Sequence, residues 1–520
     1  MNQDQTKSAQ QNNETNTPRD GALLSLWQQI SFPKNHSRPD PGKVYDAIII
    51  GGGITGLTTA LLLQLENKDC IILENKTLGY GTTGGTTAHL NTFFDATYPE
   101  IEKDFSEDAA RLVADSGKKA INTIKTLIDK YSINCDFEYK NALLFSEEEK
   151  QTRELEEILE SSKRAGIAVA KASTNNLPVP FDQVIQFNDQ AQFHPLKYLA
   201  ALTDEFLKAG GTVAENQFVK DTGFKDHLHY AETDEFRISG KYIVHATHIP
   251  QGINLFNFRC APYRSYVLGI TLTDDRYPQE LIYDMQEPYH YFRTHVIGDN
   301  KILIVGGEDH KTGQDDPEEA FSKLIEYVNT YFPVGEIIYK WSSQYYIPTD
   351  GLPYIGHFPG QADGSFVATG FNGNGMIFGT LSGCIISDII LGRKNEFVEL
   401  YQPSRIKPIA GFKEFVKENA NAVWHLISDR FSAEKIESLK EIQNGSGCLI
   451  DHDGKRLAVY KDEKGKVHAL NPTCTHAGCI VKWNQDEKSW DCPCHGGRYT
   501  IEGKILCGPP TKDLQKLKIE

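Results

Sequence analysis

The stretch YDAIIIGGGITGLTTALLLQLENKDCIILE, residues 45–74, decides how the larger part of the chain is read. An apolar run, a glycine turn with G-x-G-x-x-G spacing, a helical segment and a second apolar run ending on a carboxylate make a βαβ unit built for a dinucleotide. Gly51 permits the tight turn, Gly53 lets the backbone approach a pyrophosphate, and Gly56 lets helix and strand pack closely. Free N–H groups at the helix start would receive the phosphates. Glu74 stands where it can accept hydrogen bonds from ribose hydroxyls. Glycine turns between strand and helix also occur without a ligand, but here strand, helix and acid all fall in place.

The surrounding composition is that of a globular protein. A length of 520 residues predicts about three cores of roughly 150 residues each. A net charge of −16 disfavours nucleic acid and anionic lipid as partners. No apolar run has the length of a membrane span, and residues 1–20, rich in Asn, Gln and Thr, lack the basic end and apolar core of a signal peptide. A cytoplasmic protein is expected. Residues 1–42 are read as a flexible arm whose apolar group Leu23, Leu24, Leu26, Trp27 and Ile30 docks on its own protein rather than on a membrane surface. Of ten cysteines, four lie between Cys474 and Cys494 with ligand-like spacing. Reduced thiols plus one cysteine-bound cofactor fit that pattern.

Beyond Glu74, the sequence LGYGTTGGTTAHL at 78–90 offers closely approachable backbone and hydroxyl donors at Gly81, Thr82 and Thr83, suited to a flavin edge. Residues 105–171 have helical periodicity and are expected to form a helical excursion without chemistry. A helix opening at His194–Pro195 leads to a strand towards Val219. Residues 264–307 alternate polar and apolar positions, as in an antiparallel sheet with one solvated face, and are read as a substrate domain inserted between nucleotide-binding segments. Residues 347–356 (IPTDGLPYIG) and 366–376 (FVATGFNGNGM) then run into a helix to Leu391. Its positive end would face a reduced flavin.

Over residues 43–400 the chain resembles the FAD-dependent oxidoreductases of the glycine oxidase, sarcosine oxidase and D-amino acid oxidase group. The resemblance implies an α/β FAD-binding domain interleaved with an α+β substrate domain, hydride transfer to the flavin, and oxidation at a carbon–nitrogen bond. Cofactor contacts would come from Gly51, Gly53, Gly56, Glu74, Gly81, Thr82, Thr83, Val219, Asp350, Gly370, Gly373, Gly375 and Met376. The group holds a substrate carboxylate on an arginine, whose fork matches it bidentately. Arg293 is the first choice for that role and Arg264 the second; each is equally a candidate for a salt bridge. Ala246-Thr247-His248 departs from the group's Ala-Thr-Gly. Gln344 and Tyr345 stand where covalent relatives carry a cysteine, and His89 is out of register, so the FAD is expected to be non-covalent. Without a second dinucleotide fingerprint, the organic substrate must supply the hydride.

In the C-terminal part, CTHAGC at 474–479 and CPCHGGRY at 492–499 supply one thiolate and one imidazole from each of two loops. Cys474, His476, Cys492 and His495 suffice for a Rieske 2Fe-2S cluster, whose mixed ligation raises the potential to about −150 to +300 mV. The same four residues also fit tetrahedral zinc, which leaves Cys479 and Cys494 unused. The segment resembles the Rieske domains of cytochrome bc complexes, and that resemblance implies a Cys479–Cys494 disulfide tying the loops together. Gly508-Pro509-Pro510 matches their covering loop, while Gly497 replaces their serine.

The expected organisation is a 1–42 arm, a 43–408 flavoprotein, a 409–444 helical linker and a small all-β Rieske domain at 445–520, similar to bacterial Rieske flavoproteins. It implies an oxidoreductase whose FAD takes a hydride from a small-molecule amine or amino acid and passes electrons singly to the cluster and then to an external acceptor of unknown identity. The alternatives are a redox sensor or electron carrier without catalysis, and an oxygen-using amine oxidase with an accessory cluster.

Overall fold

Strand Val44–Ile50 is buried almost throughout, as a strand covered on both faces of a parallel sheet must be. In the computed structural model, which describes residues 19–33, 38–405, 421, 439, 441–452 and 454–518, it pairs in parallel with Cys70–Leu73 on one side and Arg237–His245 on the other. The sheet continues to Thr212–Ala214 at one end, and through Ser365–Thr369 to Tyr354–His357 at the other. Helix Ile54–Gln64 is buried nearly all round because helix Gly375–Ile390 packs along it. A Cβ at Gly379 or Gly383 would come within 2.7 Å of Ile54 or 2.6 Å of Thr58, so the two glycines set that close approach.

A second sheet runs in the order Val334–Pro348, Cys260–Leu272, Asn300–Lys311, Tyr291–Ile297, Leu281–Asp284, Glu138–Ser146, Gln183–Gln192, His89–Leu90. The expectation of one solvated face fails for its central strands. Val267, Ile302 and Ile304 enter the main core. Their neighbours Leu268, Leu303 and Val305 enter a second core with Phe321, Leu324 and Val328 of helix Pro317–Tyr331. That helix covers the face read as open. The expected helical excursion is also interrupted: between helices Glu107–Tyr131 and Glu149–Arg164 lies strand Glu138–Ser146, central in this sheet. Its apolar run is too short to reveal its period, and pairing with Gln183–Gln192 and Leu281–Asp284 decides it.

The C-terminal part is all β. Strands Ser446–His452, Lys455–Lys461, Val467–Leu470 and Lys516–Leu517 form one sheet; Lys482–Asn484, Ser489–Asp491, Arg498–Tyr499 and Ile505–Cys507 form the other. Most of the linker expected at 409–444 lies outside the described residues, as does the arm before Arg19.

From Arg19 to Ile30 the arm is docked rather than free. Trp27 is fully buried, its indole N–H donating to Thr86 O at 2.5 Å. Arg19 and Asp20 are buried as well, between the second sheet and the C-terminal domain. Arg19 pairs with Glu487 at 3.2 Å and donates to the Ser342 carbonyl; Arg498 donates to the Asp20 carbonyl at 2.5 Å.

Candidate active site

At the carboxyl ends of the parallel strands, where such sheets bind ligands, opens a cavity of about 690 Å³. Its floor is the glycine turn. Gly51 has φ +107°, and a Cβ there would meet Ala246 O at 2.4 Å. A Cβ on Gly56 would meet Gly51 O at 1.9 Å, which is the tight helix packing predicted from sequence. Gly53 caps helix Ile54–Gln64 without a side-chain hydrogen bond, and the first helical N–H, that of Ile54, donates to Thr83 Oγ1 at 3.1 Å. Glu74 lines the wall, its oxygens accepting from Gly52 N at 2.7 Å and Lys76 N at 2.9 Å. Burial pushes its carboxyl up, against these bonds. A carboxylate keeps acceptor capacity beyond two bonds.

Gly81, Thr82, Thr83, Val219, Gly373, Gly375 and Met376 also line this cavity. At Gly81 and Gly375 an added Cβ would meet nothing within 4 Å, so both present bare backbone to open space. Gly375 begins a 16-residue helix whose N-cap, Asn374, makes no side-chain cap bond. These features fit the phosphates and ring of FAD. Two expected contacts lie elsewhere. Asp350 is held by Arg405 through two bonds of 2.7 and 2.8 Å, and Gly370 turns with φ +72° against Cys260 and Pro348. Both support the turn behind the cavity wall.

Both arginine expectations need correction, since neither side chain lines the cavity. Arg293 is fully buried, donating to the carbonyls of Thr87 (2.8 Å), Ala88 (2.9 Å) and Phe193 (3.3 Å), with Trp27 under its guanidinium. Burial pushes its pKa down to about 9. Arg264 donates to Ser342 Oγ at 2.7 Å and pairs with Glu487 of the C-terminal domain at 3.2 Å. Residues that no motif announced line the cavity instead. Asp309 accepts from Tyr345 Oη at 2.8 Å, and burial, with Asp95 nearby, pushes its pKa up to about 7. Asp95 accepts from Gly373 N at 2.7 Å and Tyr289 Oη at 3.3 Å. His89 lines the cavity as a neutral imidazole, its pKa taken down to about 3 by burial and by Arg293.

In the C-terminal domain Cys474 and Cys492 are buried, and the rings of His476 and His495 lie 4.9 Å apart. Both nitrogens of His476 and Nδ1 of His495 are buried without a hydrogen-bond partner. Two thiols and two imidazoles with unsatisfied ring nitrogens fit the mixed ligation of a 2Fe-2S cluster. Cys479 and Cys494 form the disulfide implied by resemblance. They leave Cys492 as the only free thiol in the neighbouring three-sulfur group Cys479, Cys492 and Cys494. Tyr499 Oη lies 3.2 Å from Cys474 Sγ.

The two sites share a wall. Gln344 Nε2 donates to Gly496 O at 3.0 Å, and Tyr346 Oη donates to His495 O at 3.3 Å. Gln344 and Tyr346 also line the cavity, as do Ile505 to Gly508 of the C-terminal domain. No helix among the described residues is long and apolar enough to cross a membrane.

Residues 46–389 match the family profile "FAD dependent oxidoreductase", and residues 433–518 match "Rieske [2Fe-2S] domain". The Bacillus subtilis protein YhfW, named as a Rieske 2Fe-2S iron-sulfur protein, is 30% identical over 480 residues, covering 91% of this chain and 94% of that one. Gamma-glutamylputrescine oxidoreductase of Escherichia coli is 24% identical over 370 residues, 68% of this chain and 85% of that one. The fold is similar to that of glycine oxidase from Geobacillus kaustophilus, with a TM-score of 0.59 at 18% identity over 70% of this chain and 99% of that one. The chain thus belongs to the FAD-dependent oxidoreductases, enzymes whose FAD-binding fold is here joined to a C-terminal Rieske domain that binds a 2Fe-2S cluster.

Proposed function

We propose that the protein oxidises the carbon–nitrogen bond of a small amine or amino acid and delivers the electrons one at a time, through the cluster, to an external acceptor. The observation that carries this reading is the shared wall: the strand lining the FAD cavity hydrogen-bonds the carbonyls of a cluster ligand, His495, and its neighbour Gly496. When bound, FAD supplies acceptance of a hydride and release of single electrons, and the Rieske centre supplies one-electron storage at raised potential.

The chain's own residues do the positioning. Gly51 and Gly53 admit the pyrophosphate, Glu74 takes the ribose, and Gly81 to Thr83 with Gly373 to Met376 hold the ring non-covalently. Cys474, His476, Cys492 and His495 ligate the cluster. Thr82 Oγ1 donates to the Gln344 carbonyl at 3.3 Å, and Tyr346 packs edge-on to His248 at 4.7 Å. The path from cavity to cluster loop is therefore short and closely packed. Asp309, poised near neutral pH, is suited to accept a proton from a bound ammonium.

Anaerobic stopped-flow mixing with a substrate tests the reading. Flavin bleaching should be followed by a rhombic paramagnetic signal from the reduced cluster. Bleached flavin beside a cluster that stays oxidised would refute it.

A further inference from the structure

The end of the cavity around Asp309 and Asp95 has an unusual balance of charge. Among the described residues, Lys76 is the one Lys or Arg in its lining, and it sits beside Glu74 at the nucleotide end. Neither Arg293 nor Arg264, the candidate carboxylate holders, lines the cavity; each is buried away from it in bonds to other parts of the protein. Carboxylates, by contrast, are plentiful. Asp284 is neutralised by His290 at 2.7 Å, but Asp95 and Asp309 have no cationic side chain within ion-pair distance among the described residues.

Asp309 carries the argument. Its side chain is half-buried in the cavity wall: Oδ1 is closed off from water without a hydrogen-bond partner, while Oδ2 accepts from Tyr345. A buried acceptor left open is costly unless a ligand donor meets it. Around it stand aromatic rings: His89 to Tyr283 at 5.4 Å, Phe93 to Tyr283 at 5.1 Å, and Tyr289 to Tyr291 at 5.8 Å. Carboxylates and aromatic rings in one pocket attract an ammonium group. They repel an α-carboxylate.

We infer that this end of the cavity is a cation site, formed by Asp309, Asp95 and the surrounding tyrosines, that takes amines without an α-carboxylate and rejects the corresponding amino acids. The inference rests on the proposed carbon–nitrogen oxidation and narrows its substrate class.

Matched pairs differing only in the carboxylate test it: butylamine against norvaline, and 1,4-diaminobutane against ornithine. Each is mixed anaerobically with the FAD-loaded protein; the initial shift of the flavin spectrum gives the dissociation constant, and the following phase gives bleaching. The amine of each pair should bind at least about tenfold more tightly, and Asp309→Asn and Asp95→Asn should each weaken amine binding by about tenfold. An amino acid binding as tightly as its amine overturns the inference. So does unchanged amine affinity in both variants with flavin content and melting temperature retained. Bleaching by amino acids alone would sink the cation site and leave the proposed function standing. Tight, Asp309-dependent amine binding without bleaching would support the site and sink the oxidation.

Discussion

Replacing Glu487 with Gln tests how the Rieske domain is fastened to the flavoprotein. Glu487 is 1% exposed. It accepts from Ser342 N at 3.1 Å and Ser342 Oγ at 2.5 Å, and pairs with Arg19 and Arg264 at 3.2 Å each. Gln keeps the volume but removes the charge, leaving two guanidinium groups in a site closed to water. Breaking a buried pair from one side costs about 3–5 kcal/mol, because the remaining charge is uncompensated. Arg19 retains Asp20 at 2.8 Å, so the lower end, about 3 kcal/mol, is expected. Denaturant titration followed separately by cluster absorption and flavin fluorescence should show the cluster domain released first. A loss below about 1 kcal/mol in both signals would refute the clamp.

The same group gives a pH dependence of known sign. Burial pushes the Glu487 carboxyl up, but Arg19, Arg264 and Arg498 outweigh it and hold the group well below the ordinary carboxylate range. A depressed folded pKa means stability that is present above the unfolded value of about 4.3 and lost as pH falls below it. Wild-type docking should therefore weaken progressively below about pH 4, and the Gln variant should lack that part of the acid response.

Tyr499→Phe should lower the cluster potential. Its hydroxyl, 3.2 Å from Cys474 Sγ, stabilises the more negative reduced state, and about 1 kcal/mol corresponds to roughly 40 mV for one electron; a redox titration followed by paramagnetic resonance reads the shift. Arg293→Met should destabilise the flavoprotein by about 3 kcal/mol through the orphaned carbonyls of Thr87, Ala88 and Phe193, while leaving the substrate dissociation constant unchanged. A tenfold weaker substrate with unaltered thermal stability would restore a direct binding role for Arg293.

The features legible in the sequence are those whose chemistry is local. Gly51, Gly53 and Gly56 lie in one turn, and the proposed cluster ligands come from two short loops, so spacing together with family resemblance carries their meaning. Arg293 was not legible, because the carbonyls that occupy it belong to residues 87, 88 and 193. Arg19 gave no sign of burial for a similar reason: a charge can be buried only with a partner, and its partner Glu487 is 468 positions away. Asp309 and Asp95 belong to no motif. Only the closing of the second sheet over the parallel one brings them to a single cavity.

The register of one strand pair links all these observations. Strand Cys260–Leu272 lies against Val334–Pro348 with Pro262 opposite Tyr346, Arg264 opposite Gln344 and Tyr266 opposite Ser342. Opposed residues of an antiparallel pair share a face, and successive residues alternate. On one face Arg264 and Ser342 meet Glu487, while Gln344 and Tyr346 meet Gly496 and His495. On the other, Tyr345 bonds Asp309 and Ser265 lines the cavity with Tyr291. A slip by one residue would exchange the two sets, turning Tyr345 and Ser265 toward the C-terminal domain and Arg264 and Ser342 toward the cavity. Arg264, the second choice for holding substrate, thus lies on the face that meets Glu487 of the C-terminal domain. Its position on the strand, rather than its chemistry, makes it a fastening for the second redox centre.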